Sequence, residues 1–187
     1  GGGGCGLLVI ALIAMFLGAD GGMIARILGQ AGRQQAAPRG AAPAPGPDDE
    51  TRQFISVVLR DTEKVWSELF RERGGKYVEP TVVIFAGEVA TGCGRANAAV
   101  GPFYCPADQH VYIDPTFFDE LERRHNAPGD FAQAYVIAHE VAHHVQRLLG
   151  FSQMVDKVRR SGDKQATNRA SVRLELQADY LAGVWAH

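Results

Sequence analysis

Residues 134–149 read Ala-Tyr-Val-Ile-Ala-His-Glu-Val-Ala-His-His-Val-Gln-Arg-Leu-Leu. Within them, His139-Glu140-Val141-Ala142-His143 is an HExxH pattern. Residues four apart on an α-helix lie on one face, about one turn from each other. Two imidazoles so placed can reach one zinc ion. Glu140, one position on from His139, can reach the open side of such a metal and act as general base toward a zinc-activated water. The neighbouring positions Phe131, Ala134, Tyr135, Ala138, Val141, Ala142, Val145 and Leu148 are apolar or aromatic, which predicts a helix turned toward a core. Burying two imidazoles and a carboxylate there is costly unless something partners them. His144 projects about 100° away from His143 and reads as packing or surface, not as a ligand.

A catalytic zinc needs a third protein ligand and one open position. Downstream, Glu175 and Asp179 share a helix face in Leu174-Glu175-Leu176-Gln177-Ala178-Asp179. Glu175 is the candidate third ligand. Asp179 can accept a hydrogen bond from the far nitrogen of a ligand histidine and fix its tautomer. One zinc per chain is the cofactor expected.

Around this site the periodicity predicts helices and a small, partly antiparallel sheet, hence an α+β fold. A helix is expected over Thr51–Arg73, closed by Gly74-Gly75, and a buried strand over Thr81–Phe85. Ala99–Cys105 and His110–Asp114 flank Pro106-Ala107-Asp108-Gln109 as a hairpin. Asp114-Pro115 reads as the start of a helix running to about Arg124. Asp130 with Gln133 reads as a capping box opening the HExxH helix, which ends at Gly150. A last helix is expected from near Asn168 or Ser171 to the end of the chain.

The first 50 residues differ. Leu7–Leu17 is an uninterrupted apolar run, and no charge occurs between Gly3 and Ala19. It is short for a spanning helix, yet lacks a nearby small-x-small cleavage site and is flanked by glycines. We expect residues 1–29 to form a glycine-rich transmembrane anchor, with the lipid membrane as a partner. Residues 30–50, with Pro38, Pro43, Pro45 and Pro47, read as an Ala/Pro-rich linker. Residues 51–187 are then the folded domain. The chain starts on glycines and stops inside a helix pattern, so a longer parent protein, with the domain cut at its C-terminus, is expected.

Composition removes other classes. The 187 residues are 46% hydrophobic and 21% charged, with a net charge of −2. That is an ordinary globular balance without the basic excess of a nucleic-acid-binding protein. Three cysteines cannot make a multi-bridge scaffold. Cys93 and Cys105 can form a disulfide if the domain faces an oxidising compartment; otherwise they are free and buried. Neither has the partners at finger-like spacing that a structural zinc site requires.

Several longer stretches resemble one family. They are Gly92-Cys93-Gly94, Gly101-Pro102-Phe103-Tyr104-Cys105-Pro106-Ala107-Asp108, Val111-Tyr112-Ile113-Asp114, Pro128–Val141, and Glu175–Asp179 with Ala182–Ala186. These are similar to the neutral zinc metallopeptidases of the YpfJ-like type in bacteria, over nearly all of Thr51–His187. The resemblance implies a single-pass membrane protein with a zincin-like domain of the Glu-zincin type; we expect that catalytic domain to be extracytoplasmic. It implies peptidase activity on peptide or protein substrates, with His139, His143 and Glu175 as ligands and Glu140 as base. By the same analogy, substrate backbone pairs with the edge of the Ala99–Asp114 hairpin. The chain departs from the family in carrying Tyr180 where a cysteine is common, and in lacking a polar stretch before the glycines. The competing expectations are an inactive zinc-binding scaffold or peptide-binding protein of the same fold, and a zinc hydrolase acting on non-peptide amides.

Overall fold

The computed structural model describes residues 49–125 and 129–187. The proposed anchor and nearly all of the proposed linker lie outside these residues. Among the described residues, no helix is long and apolar enough to cross a membrane.

Helix α1 spans Asp49–Glu72, so it takes in the last two residues assigned to the linker. Its buried positions Ile55, Val58, Thr62 and Trp66 recur at three- and four-residue steps, the stripe of a helix lying on a core. It stops at Gly74, where φ is +71° and the Gly75 amide donates to Phe70 O at 2.8 Å. Glycine takes this left-handed conformation without strain and so closes the helix.

Strand β1 (Thr81–Ile84) pairs parallel with β5 (His110–Ile113), which pairs antiparallel with β4 (Phe103–Cys105). The order β1-β5-β4 puts β5 in the centre. The expected buried strand at Thr81–Phe85 is therefore an edge strand, exposed at Thr81 and half-buried over Val82–Ile84. The expected hairpin is β4–β5, joined through Pro106–Gln109, but it does not begin at Ala99. Ala98–Val100 form a 3-10 turn capped by the Asn97 side chain, which accepts from the Ala99 amide at 3.1 Å. A second hairpin, β2 (Glu88–Thr91) with β3 (Gly94–Asn97), forms its own two-stranded sheet and was not anticipated. Its four-residue strands are too short and too polar for alternation to stand out.

Helix α2 (Thr116–His125) follows β5. Asp114 does what its place before a helix predicts. Its Oδ1 accepts from the Thr116 amide at 3.0 Å, and its Oδ2 accepts from the Gly87 amide at 2.9 Å. Helix α3 is Asp130–Leu148. The capping box expected at its start is absent: Gly129 occupies the cap position, so no side-chain oxygen is available there. Asp130 lies inside the first turn, where its charge favours the helix N-terminus.

Gly150, at φ +86°, separates α3 from α4 (Phe151–Arg160), a helix the sequence reading left unassigned. The last helix, α5, is Lys164–Ala186 and begins earlier than expected. Asp163 caps it by accepting from the Ala166 amide at 2.9 Å. Its first turn is polar, so no apolar period marks this start.

Helix α3 lies at the centre of the fold, against α1, α4, α5 and β4. Every residue from Val136 to Gln146 is buried. On one side Val136 and Ile137 join Ile55, Val111, Ile113, Phe117 and Leu121 in a core. On another, Val141 and Val145 pack with Trp66 and Tyr77. A helix buried all round has its polar side chains enclosed as well, and in α3 these are the HExxH residues.

Candidate metal centre

Two helices bring the site together. Helix α3 carries His139, Glu140 and His143, and α5, packed along it, carries Glu175 and Asp179. The potential ligand atoms of His139, His143 and Glu175 all lie within 4.8 Å of one another. Glu175 Oε2 is 3.4 Å from His139 Nε2 and 3.3 Å from His143 Nε2. These are contact distances without hydrogen-bond alignment: His139 Nε2, His143 Nε2 and Glu175 Oε2 are buried and lack a hydrogen-bond partner.

The far side of each imidazole is occupied. His139 Nδ1 donates to Asp179 Oδ1 at 2.9 Å, and Tyr135 Oη donates to the same oxygen at 3.0 Å. His143 Nδ1 lies 2.9 Å from Gln146 Oε1. With both Nδ1 atoms engaged as donors, both Nε2 lone pairs face the space beside Glu175. Sequence reasoning found Asp179 in this role but missed Tyr135 and Gln146. Their signal was modest: Tyr135 stands one turn before His139, and Gln146 three residues after His143, on the same helix.

Burial works against charge on His139, but Asp179 and Glu175 outweigh it and raise the imidazole well above its ordinary value. Burial likewise opposes ionisation of Glu175, yet the two histidines pull its carboxyl well below the usual range. Both directions have one cause in the metal-free protein, the attraction between the imidazoles and the carboxylates that face them. Three orphaned buried donor atoms of nitrogen and oxygen type fit a divalent metal such as zinc.

Glu140 is 2% exposed and its Oε1 also lacks a partner. Burial pushes its carboxyl up, against the pull of His143, His139 and a backbone hydrogen bond from Tyr104. Tyr104 is in β4, so the free edge of the main sheet runs beside the HExxH helix. His144 is fully buried and outside the cluster. Its Nε2 donates to Val78 O at 2.6 Å, and its Nδ1 accepts from Tyr104 Oη at 3.1 Å, which fastens β4 to α3.

Away from this cluster, Cys93 and Cys105 form a disulfide that links the tip of the β2–β3 hairpin to the end of β4. Asp108 supports the same junction, accepting from the Gly92 amide at 2.7 Å and from Tyr112 Oη at 2.8 Å.

The chain is similar to the uncharacterised protein YpfJ of Escherichia coli (strain K12), 45% identical over 187 residues. That match covers all of this chain and 63% of YpfJ, so the chain spans less than two thirds of that relative. It is also similar to the uncharacterised protein Rv2575 of Mycobacterium tuberculosis, 40% identical over 134 residues, covering 71% of this chain and 43% of the relative. No solved structure matches the chain at significant similarity. A family model matches residues 1–187 from end to end, and with the HExxH helix and its facing glutamate in place, the chain belongs to the family described as "Putative neutral zinc metallopeptidase".

Proposed function

We propose that this chain is the zinc-binding part of a membrane-tethered peptidase with a zincin-like domain, in which His139, His143 and Glu175 hold the metal and Glu140 moves the proton. The observation that carries this reading is the convergence of three buried, unpartnered ligand atoms beside a fourth unpartnered atom, Oε1 of Glu140. A structural zinc site has no use for that fourth group. When bound, zinc supplies Lewis-acid activation of water and of a scissile carbonyl.

Glu140 takes a proton from the attacking water and delivers it to the leaving amine. Asp179 holds His139 in the tautomer that presents Nε2, and Tyr135 holds Asp179. The edge of β4 offers backbone groups to which an extended peptide could add as a further strand.

Tethering rests on the apolar run Leu7–Leu17 and the Pro-rich segment after it, read as anchor 1–29 and a linker from residue 30, with the folded part starting at Asp49 in α1. The Cys93–Cys105 disulfide supports an extracytoplasmic domain, since such bonds persist in oxidising compartments.

The test uses the full chain purified in detergent. About one zinc per chain is expected by mass spectrometry, lost in His143→Ala. Glu140→Ala should keep the zinc and lose about 100- to 10,000-fold of peptide hydrolysis. A Glu140→Ala protein as active as the wild type would sink the mechanism. A wild type that binds zinc and peptide but never cleaves would favour the scaffold reading.

A further inference from the structure

The two histidines of the cluster are held by chemically unlike partners. His139 is held by a carboxylate, Asp179. His143 is held by a neutral amide, Gln146, fully buried on the same helix. Gln146 is enclosed in a network whose polarity is forced. Its amide also contacts Leu174 O at 2.7 Å and Gln177 Oε1 at 3.0 Å. A backbone carbonyl can only accept, so the amide nitrogen of Gln146 faces Leu174 and its oxygen faces His143. An oxygen there can only accept in turn, so His143 Nδ1 carries the proton and its Nε2 presents a lone pair toward Glu175.

Leu174 immediately precedes Glu175, and Gln177 is two residues beyond it. The same amide that orients His143 therefore binds the backbone of α5 next to Glu175. We infer that Gln146 is a positioning residue for the metal centre: it sets the tautomer and aim of His143 and, through Leu174 and Gln177, the register of the helix that carries Glu175. This assignment rests on the metal-site reading above. It predicts unequal control of the two histidines, with His143 depending on Gln146 and His139 depending on Asp179.

The test compares wild type, Gln146→Ala, Gln146→Asn and Gln146→Glu, each as the full chain, by competition with a zinc chelator. Outer partners of metal ligands contribute about 10- to 100-fold in affinity. Gln146→Ala is expected to weaken zinc binding by about that factor. Gln146→Asn, which keeps the amide but is one methylene shorter, should behave like the alanine variant. Gln146→Glu keeps an acceptor for His143 Nδ1 but loses the donor to Leu174 O and Gln177 Oε1, so it should retain the His143 Nδ1–H signal while zinc affinity stays below wild type. Nitrogen-15 NMR of the metal-free proteins supplies a signature that loss of packing alone would not produce. The protected Nδ1–H of His143 should disappear in Gln146→Ala, while that of His139 persists. Zinc affinity unchanged within twofold in Gln146→Ala, beside a wild type that binds zinc and loses it in His143→Ala, would overturn the role of Gln146 alone. A wild type that binds no zinc would overturn the metal reading and this assignment with it. If His139 and His143 lost their Nδ1–H signals together, the effect would be general loosening, and the assignment would also fail.

Discussion

Helix α3 and the β2–β3 hairpin hold their positions by opposite means. Along α3 every residue from Val136 to Gln146 is buried, and the helix is held by packing on several sides. The hairpin exposes Glu88, Ala90, Gly94, Arg95 and Asn97, and it contributes only Val89 and Ala96 to a core cluster. It is fixed at discrete points instead: the Cys93–Cys105 disulfide and the Asp108 bond to Gly92 at its tip, and the Asp114 bond to Gly87 at its base. A segment that buries little apolar surface gains little from the hydrophobic effect and depends on a few strong ties. A segment that buries everything is fixed by its apolar side chains, and its polar atoms are free to be committed to a ligand. The HExxH residues lie on the second kind of element.

That contrast can be tested by removing one support at a time. The largest effect should come from the packed helix. Ile137→Ala removes a fully buried side chain and should cost about 2–5 kcal/mol, read by denaturant unfolding of the metal-free protein. A loss under about 1 kcal/mol would mean the surroundings collapse onto the gap and α3 is less rigidly packed than described. The second effect should be smaller and more local. Replacing Cys93 and Cys105 by serine removes a constraint worth about 2–4 kcal/mol. Amide exchange should quicken in β2 and β3 while α3 stays protected and zinc content is unchanged. If zinc were lost as well, hairpin and metal centre would be one cooperative unit, and the comparison would fail. The smallest effect should come from the hairpin surface. The Arg95–Glu88 ion pair spans 3.3 Å between side chains 82% and 70% exposed. Arg95→Ala should shift stability by less than about 0.5 kcal/mol, with no change in zinc binding.

Legibility in the sequence followed the same division. Helix α1 could be read because burial on one side imposes a period on the chain, whereas α3, buried all round from Val136 to Gln146 with Phe131 exposed, was legible from its length, its HExxH spacing and its closing glycine, Gly150. The hairpin could not, because its strands are short and half-exposed and its fixings are side chains distant in sequence, such as Asp108 and Asp114. Helix α4 does carry a helical pattern, with Phe151, Met154, Val155 and Val158 at i, i+3, i+4 and i+7, but it is short and Val155 is its one buried residue. The capping box at Asp130 failed because Gly129, with no side chain, took the cap position.

The sequence by itself determined that His139, Glu140 and His143 share a helix, since the geometry of four-residue spacing is local. It also marked Glu175 and Asp179 as a pair on one helix face. Only the tertiary structure decided that these two helices pack with Glu175 opposite both Nε2 atoms, that Tyr135 supports Asp179, and that Gln146 reaches across to Leu174 and Gln177. Those relations join residues 28 to 44 positions apart. No local period encodes them, because they arise from how two buried surfaces fit together once the chain has folded.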